Sequence, residues 1–148
     1  MLGLALRYPH FSLFGFYATL RTYAITKKLC QKTNSTSGIG NAFRHALWTC
    51  LITMYCSKIS SSRKALAYAK AFTDMHEELF PNKPLETKMD LHNNRVGLHL
   101  FEAMLPGIHR QFFETDFFVE KLLEKTKTAQ VLNSLTQETS DELVYLNE

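Results

Sequence analysis

The sequence NAFRHALWTCLITMYC, residues 41–56, decides the fold. It contains no Gly or Pro and is long enough for more than four helical turns. Asn41 can cap the start of this helix, because an Asn side chain accepts one of the backbone N–H groups that a first turn leaves unpaired. When the side chains are placed about 100° apart around the axis, apolar groups fall on every side. A helix that is apolar all round is normally surrounded by others, so we predict a central buried helix over about 41–57.

Four further segments are predicted to be helices that pack around this central one. Each combines apolar residues at helical spacing with a stop signal such as Pro, Gly or a Ser-rich break. The segments are Phe11 to about Leu29, Arg63 to Phe80, Leu85 to Met104, and a helix within 112–123 in one or two pieces. Residues 31–40 are predicted to be a flexible polar loop, and 128–148 a C-terminal tail in which Leu143–Leu146 packs as an extended segment. The sequence therefore predicts a single all-α domain, residues 1–148, of about five helices.

The cysteines and the apolar N-terminus indicate the cellular setting. The three cysteines form no disulfide or metal-ligand pattern, and Cys50 and Cys56 point about 120° apart on the central helix. A reducing compartment is therefore expected. Residues 1–25 lack the basic start and the small-residue cleavage site of a signal peptide, and charged residues and a proline interrupt any membrane span. These features predict a cytoplasmic protein, with export by a specialised secretion system as the alternative.

Charge is divided unevenly along the chain. Residues 1–73 contain ten Lys and Arg and no acidic residue, whereas residues 74–148 carry all fourteen acids and seven bases. The two halves could neutralise each other inside one domain. Alternatively, the basic N-terminal half could meet an anionic ligand or a membrane surface. The sequence contains no specific nucleic-acid motif.

Polar side chains interrupt three of the predicted helices at positions with apolar surroundings. They are Arg44 and His45 on the central helix, Asp74, His76 and Glu77 on the next, and Asp90, Asn93 and Asn94 on the following one. Helical bundles build sites in this way, from side chains that project inward from facing helices. Because imidazole and carboxylate ligands suit Zn²⁺, Mn²⁺ or Fe²⁺, His45, His76 and Glu77 could hold a divalent metal. The spacing matches no known metal motif, since His76 and Glu77 are only adjacent. Without a metal, the same groups could form an acid–base site in which Glu77 or Asp90 orients His45 or His76.

Two functions remain open from these residues. In the first, the chain is a small metal-dependent hydrolase. Its catalytic residues would be His45, His76, Glu77 and Asp90, and its substrate-binding residues Arg44, Asn93 and Asn94. In the second, the chain is a non-catalytic binding or accessory protein whose polar cluster is a structural network.

Arg44 and Gly97 give the sharpest structural expectations. A guanidinium stays charged, and burying it unpaired would be costly, so Arg44 is predicted to contact Asp90 or Glu77 directly. Gly97 lies on the same helix face as Asp90, and a helical Gly lowers stability by about 1 kcal/mol relative to Ala. We therefore expect the central helix to approach closely at Gly97.

Three motifs resemble those of an uncharacterised bacterial family of helical domains. They are N-A-F-R-H-A-L-W from Asn41 to Trp48, D-M-H-E from Asp74 to Glu77, and M-D-L-H-N-N-R-V-G from Met89 to Gly97. The resemblance covers roughly residues 5–125, and residues 143–146 are similar to the C-terminal end of that family. The resemblance implies a family of Bacteroidetes-type bacteria that occurs both as small stand-alone proteins and as modules of larger toxin-like chains. For the hydrolase, it implies a toxin-like effector that acts on a cell-envelope or phosphodiester substrate. The resemblance implies a site at Asn41, Arg44, His45, Trp48, His76, Glu77, Asp90, Asn93, Asn94 and Gly97, without an established activity. The family often has a charged residue after the glycine, where this chain has Leu98-His99.

Overall fold

The computed structural model describes residues 2–33 and 37–147, and these residues are mainly helical. Within them, six helices are followed by two strands of two residues each. The helices are α1 Leu2–Arg7, α2 Pro9–Leu29, α3 Ile39–Ile59, α4 Ser62–Leu79, α5 Pro84–Met104 and α6 Thr115–Thr126. The strands are β1 Gln130–Val131 and β2 Val144–Tyr145. The predicted all-α fold is confirmed.

The central position of α3 is also confirmed. This helix packs against α2, α4, α5 and α6. Every residue from Ala46 to Met54 is buried, which agrees with a helix that is apolar on all sides. Polar side chains that reach α3 from its neighbours therefore do so inside the molecule.

The start of α3 differs from the prediction. The helix begins at Ile39 with Gly38 at the N-cap position, so the prediction that Asn41 caps it was wrong. The Asn41 side chain instead crosses to α5 and donates a hydrogen bond to Asp90. By contrast, the Ser-rich break before α4 works as a cap: the Ser61 hydroxyl accepts a hydrogen bond from the backbone N–H of Lys64.

Two other segments are divided differently from the prediction. The apolar N-terminal segment contains two helices, because α1 ends before Tyr8 and Pro9 starts α2, where its missing N–H loses no helical hydrogen bond. The last helix, α6, is in one piece and starts only at Thr115. Of the predicted loop 31–40, residues 34–36 lie outside the described residues and residues 39–40 belong to α3.

The helices α3 and α5 cross at close range where Gly97 meets Ala46. A β-carbon on Gly97 would overlap the carbonyl oxygen of Ala46 and would lie 3.1 Å from its carbonyl carbon. Beside the crossing, the Cys50 thiol contacts the carbonyl oxygen of Gly97 at 3.2 Å. The absence of a side chain at Gly97 thus sets the distance between the two helices, and the predicted close approach is confirmed.

The C-terminal tail is anchored to α5. The two strands pair in parallel, with Gln130 opposite Val144 and Val131 opposite Tyr145. Val144 is fully buried and shares a small apolar cluster with Leu132 and with Met89 of α5. The tail is therefore packed against α5 through an extended segment.

None of the helices in residues 2–33 and 37–147 combines enough length with enough apolar character to cross a membrane. The three cysteines are free and buried, as their spacing predicted.

Candidate metal centre and adjoining cavity

Three acid–base side chains from three helices converge beside α3. The Nε2 atom of His45 lies 3.3 Å from Oδ1 of Asp90, and the Nδ1 atom of His45 lies 3.6 Å from Oε1 of Glu77. One potential metal-ligand atom from each residue lies within 4.8 Å of the others. All three residues are buried. The structure thus joins polar positions of α3, α4 and α5 into one cluster.

The close crossing at Gly97 explains how α5 reaches this cluster. Asp90, Asn94 and Gly97 are spaced by four and three residues, so they share one face of α5. Gly97 brings that face against α3. The side chains of Asn94 and Asp90, one and two turns earlier, therefore reach His45. The close approach of α3 and α5 at Gly97 thus also assembles the cluster.

Asn94 fixes the orientation and the tautomer of His45. Its amide nitrogen donates to Glu77 Oε1 at 3.3 Å, so its amide oxygen faces Nδ1 of His45 at 3.2 Å. The Nδ1 atom of a neutral ring must then carry the hydrogen, and Nε2 presents a lone pair to the Asp90 carboxyl group. Two lone pairs at 3.3 Å require a proton or a cation between them. Metal-binding histidines donate their second ring N–H to an oxygen in the same way.

Two asparagines hold the Asp90 carboxyl group from outside the cluster. Asn41 donates to Oδ1 at 3.0 Å, and Asn82 donates to Oδ2 at 3.3 Å. Asn82, which lies in the turn before α5, was not among the predicted site residues. The one signal in the sequence is its position about two helical turns before Asp90. Whether the two side chains meet depends on the path of the turn, which the sequence does not show.

Burial determines the charge states of the three residues. Burial and then the charge of Asp90 raise the pKa of Glu77 to about 7. Burial raises the pKa of Asp90 to about 6, although Asn41, Asn82 and Arg44 act in the opposite direction. Burial and then the charge of Arg44 lower the pKa of His45 to about 3. Near neutral pH the imidazole is therefore uncharged, and the pKa values of both carboxyl groups lie close to that pH.

The spacing between His45 and Asp90 suits two ligands of one divalent cation. Zinc binds His nitrogen and carboxylate oxygen at about 2.0–2.2 Å, which places two tetrahedral ligand atoms about 3.3 Å apart. The distance of 3.3 Å between His45 Nε2 and Asp90 Oδ1 matches this value. We expected His45, His76 and Glu77 as ligands, but the cluster contains Asp90 in place of His76.

A groove of about 600 Å³ lies beside the cluster on the α4 side. Its wall includes the acids Asp74, Glu77 and Glu78 and the bases Lys70 and Arg95. Because Glu77 belongs to both the groove and the cluster, the groove adjoins the cluster directly.

Arg44 connects to the cluster through an amide. Its guanidinium group donates to the Asn41 side-chain oxygen, and the Asn41 nitrogen donates to Asp90. The link that the structure shows between Arg44 and Asp90 is therefore indirect, whereas a direct contact was predicted. The sequence placed the partner correctly but could not show the intervening amide.

A cavity of about 200 Å³ adjoins His45 on the α2 side. The described residues that line it are Thr19, Thr22, Tyr23, Arg44, His45, Trp48 and His76. Burial and then the charge of Arg44 lower the pKa of His76, which keeps this imidazole neutral near pH 7. His76 and His45 both line this cavity. His76 is not one of the three residues whose ligand atoms lie close enough to share a metal ion.

Asn93 and Asp74, which the sequence analysis also selected, have other partners. The Asn93 side chain donates to the carbonyl oxygen of Val144 at 2.8 Å and accepts from its N–H at 3.0 Å, so Asn93 anchors the tail. Asp74 forms an ion pair with Lys70 on the same helix. Asn94 is thus the asparagine that faces the cluster.

Residues 2–130 match a domain family described as a domain of unknown function, DUF6973. The chain belongs to this family. No curated protein and no solved structure matches it. The DUF6973 match contains the whole cluster and the adjoining cavity, whereas β2 lies beyond it. The resemblance to an uncharacterised domain family is confirmed, and the chemistry has to be inferred from the geometry.

Proposed function

We propose that the DUF6973 chain is a small hydrolase in which His45, Glu77 and Asp90 bind one divalent cation, Zn²⁺, Mn²⁺ or Fe²⁺. The observation that carries the proposal is the pair of lone pairs on His45 Nε2 and Asp90 Oδ1, 3.3 Å apart, with Glu77 beside them. Asn41, Asn82 and Asn94 are positioning residues, because each holds a ligand by a hydrogen bond.

The remaining polar residues of the cavity supply the other parts of a hydrolytic site. A cation bound there would act as a Lewis acid and lower the pKa of water. His76 is neutral and faces the cavity, so it would accept a proton from the attacking water. The water oxygen forms a bond to the ester carbon or phosphorus, the bond to the leaving group breaks, and the leaving group takes up a proton. Arg44 provides positive charge for an anionic substrate.

A structural network is the second candidate. Among the described residues, the Thr22 hydroxyl is the one buried side-chain polar group without a hydrogen-bond partner. The cluster is therefore satisfied by its own hydrogen bonds when a single proton lies between His45 and Asp90. A complete set of partners favours a purely structural role as much as it favours an organised site.

Metal content separates the two candidates. The protein is purified without a metal-affinity tag and its Zn, Mn and Fe contents are measured by elemental analysis. We expect one metal per chain, lost in Asp90→Asn and retained in Asp74→Asn, whose carboxylate pairs with Lys70 on the same helix. A metal-free parent whose melting temperature is unchanged by EDTA and by added Zn²⁺ or Mn²⁺ would refute the hydrolase and favour the network.

A toxin-like role in bacteria is a further part of this proposal. Its support is the resemblance of the motifs to modules of toxin-like chains. Induced expression of the parent in a bacterial host should slow growth, and His45→Ala should remove the effect at equal protein level. Equal growth with both proteins would remove the toxin-like role without affecting the metal site.

A further inference from the structure

We infer that the DUF6973 chain binds a single-chain anionic amphiphile, with its oxyanion head beside Arg44 and Thr22 and its alkyl chain in a neighbouring apolar groove. As the identity of a substrate, this inference rests on the proposed hydrolase. As a binding site it does not, because none of the groups that hold the amphiphile needs a metal.

The cavity beside His45 has the chemistry of an anion site. Arg44 is the one residue with a fixed charge among the described residues that line it, and no carboxylate is among them. This agrees with the sequence, since six of these seven residues come from the first 73, which contain no acid. The lining of the cavity therefore offers an oxyanion positive charge and no carboxylate, although Glu77 and Asp90 contact His45 at 3.6 Å and 3.3 Å.

The unpartnered hydroxyl of Thr22 is a second feature that indicates an anion site. Its side chain lines the cavity, its residue is only 2% exposed, and its hydroxyl has no hydrogen-bond partner. The neighbouring Thr19 differs, because its hydroxyl accepts from Trp48 Nε1 at 2.8 Å and donates to the Gly15 carbonyl oxygen. A buried hydroxyl without a partner is unfavourable. An oxyanion that accepts a hydrogen bond from Thr22 removes this defect.

An apolar groove of about 380 Å³ borders the cavity. Thr19, Trp48 and His76 line both spaces, so the groove begins where the cavity ends. The remaining wall of the groove is mainly apolar and aromatic, and includes Leu4, Phe16, Phe72, Met75 and Phe80. No charged side chain is among its described lining residues. An alkyl chain is the ligand that such a wall accommodates, and a free inorganic anion would leave it empty.

The outer edge of the groove is apolar as well. Phe16 is 63% exposed and Phe80 is 56% exposed, although both are large and apolar. Exposed large apolar side chains that line one groove indicate a surface that meets an apolar partner. The edge therefore lets an amphiphile enter with its chain in contact with apolar side chains throughout.

The experiment measures binding through Trp48, the single tryptophan of the chain. Metal-stripped protein in EDTA is titrated with n-decyl phosphate and with decanoate below their micelle concentrations. Inorganic phosphate tests the head without the chain, and 1-decanol tests the chain without the charge. We expect at least one of the two amphiphiles to bind about tenfold or more tightly than either control. The tighter of the two identifies the head group.

Two variants locate the head and the chain. Thr22→Val removes the unpartnered hydroxyl without changing the side-chain shape, and it should weaken n-decyl phosphate binding about tenfold while the protein melts at or above the parent temperature. Thr26→Val is its control, because Thr26 is buried one turn later with its hydroxyl bonded to the Thr22 carbonyl oxygen.

Phe16→Ser should weaken n-decyl phosphate binding about fivefold and leave phosphate binding unchanged. Its control is Leu13→Ser, which changes an exposed apolar residue of α2 outside the groove.

The inference is overturned if inorganic phosphate or decanol binds as tightly as the tighter of the two amphiphiles. It is also overturned if Thr22→Val and Phe16→Ser bind like their controls. Because the titration contains no metal, its outcome is independent of the proposed hydrolase. A protein that binds n-decyl phosphate but never retains a metal refutes the hydrolase alone, and a metalloprotein that binds no amphiphile refutes this inference alone.

Discussion

Gly97 lies so close to Ala46 that a single added carbon atom on Gly97 would overlap the Ala46 carbonyl oxygen. This contact fixes the separation of α3 and α5. The cluster of His45, Glu77 and Asp90 depends on the same separation, because Asp90 reaches α3 from the face that contains Gly97.

Gly97→Ala should therefore destabilise the protein by about 2 kcal/mol, since forcing an extra carbon into a packed core typically costs 1–3 kcal/mol. This loss should exceed the gain of up to about 1 kcal/mol that Ala brings to a helix. Urea denaturation followed by circular dichroism measures the difference. Gly3→Ala is the control, because nothing lies within 4 Å of the added carbon there. A Gly97→Ala variant as stable as Gly3→Ala would contradict the close crossing.

Stability should fall with rising pH because of Glu77. The folded-state pKa of about 7 lies above the ordinary value of 4.5, so the folded protein favours the protonated form. The stability contributed by this protonation is complete below pH 4.5 and is lost as the pH rises through 7. Glu77→Gln cannot lose a proton, so its melting temperature relative to that of the parent should be higher at pH 8 than at pH 5. His45 has the opposite effect at low pH but is present in both proteins. Melting in EDTA at both pH values is the measurement, and a constant difference would contradict the raised pKa.

The charge of Arg44 should lower the pKa of His76. Burial is the larger cause of the lowered pKa of His76 and the Arg44 charge is the next. Arg44→Met should therefore raise the pKa of His76 toward 6.5, as followed by NMR of the imidazole. Arg21→Met, which removes an exposed charge from α2, should leave that pKa in place. If the two variants give the same titration curve, Arg44 does not act on the cavity as described.

The tail should detach when Asn93 is shortened. Asn93→Ala leaves the buried N–H and carbonyl oxygen of Val144 without their partner, at a cost of about 1–3 kcal/mol. Hydrogen exchange should show faster exchange of the Val144 N–H in this variant than in the parent. Glu102→Ala changes an exposed side chain of the same helix and serves as the control. Unchanged protection at Val144 would mean that the strand pair alone holds the tail.

The sequence was sufficient for most of the fold, because periodic apolar residues and Pro or Ser breaks act locally. It failed at Asn41, since an amide near a helix start can cap that helix or reach a neighbouring one, and only the packing decides between them. The sequence also selected Asp90 and Asn94, but it could not separate them from Asn93, which faces the tail. Thr22 carried no local signal, because its importance comes from a partner that the fold does not provide.

No two members of the His45–Glu77–Asp90 cluster belong to the same helix. An unfolded chain therefore contains no partial site, and the full binding free energy of a cation would add to the free energy of folding. By mass action, an ion at one hundred times its dissociation constant would stabilise the chain by about 2.7 kcal/mol. The ion would act as a reversible cross-link between three helices, and the concentration of free metal around the protein would then set the fraction of chains that is folded.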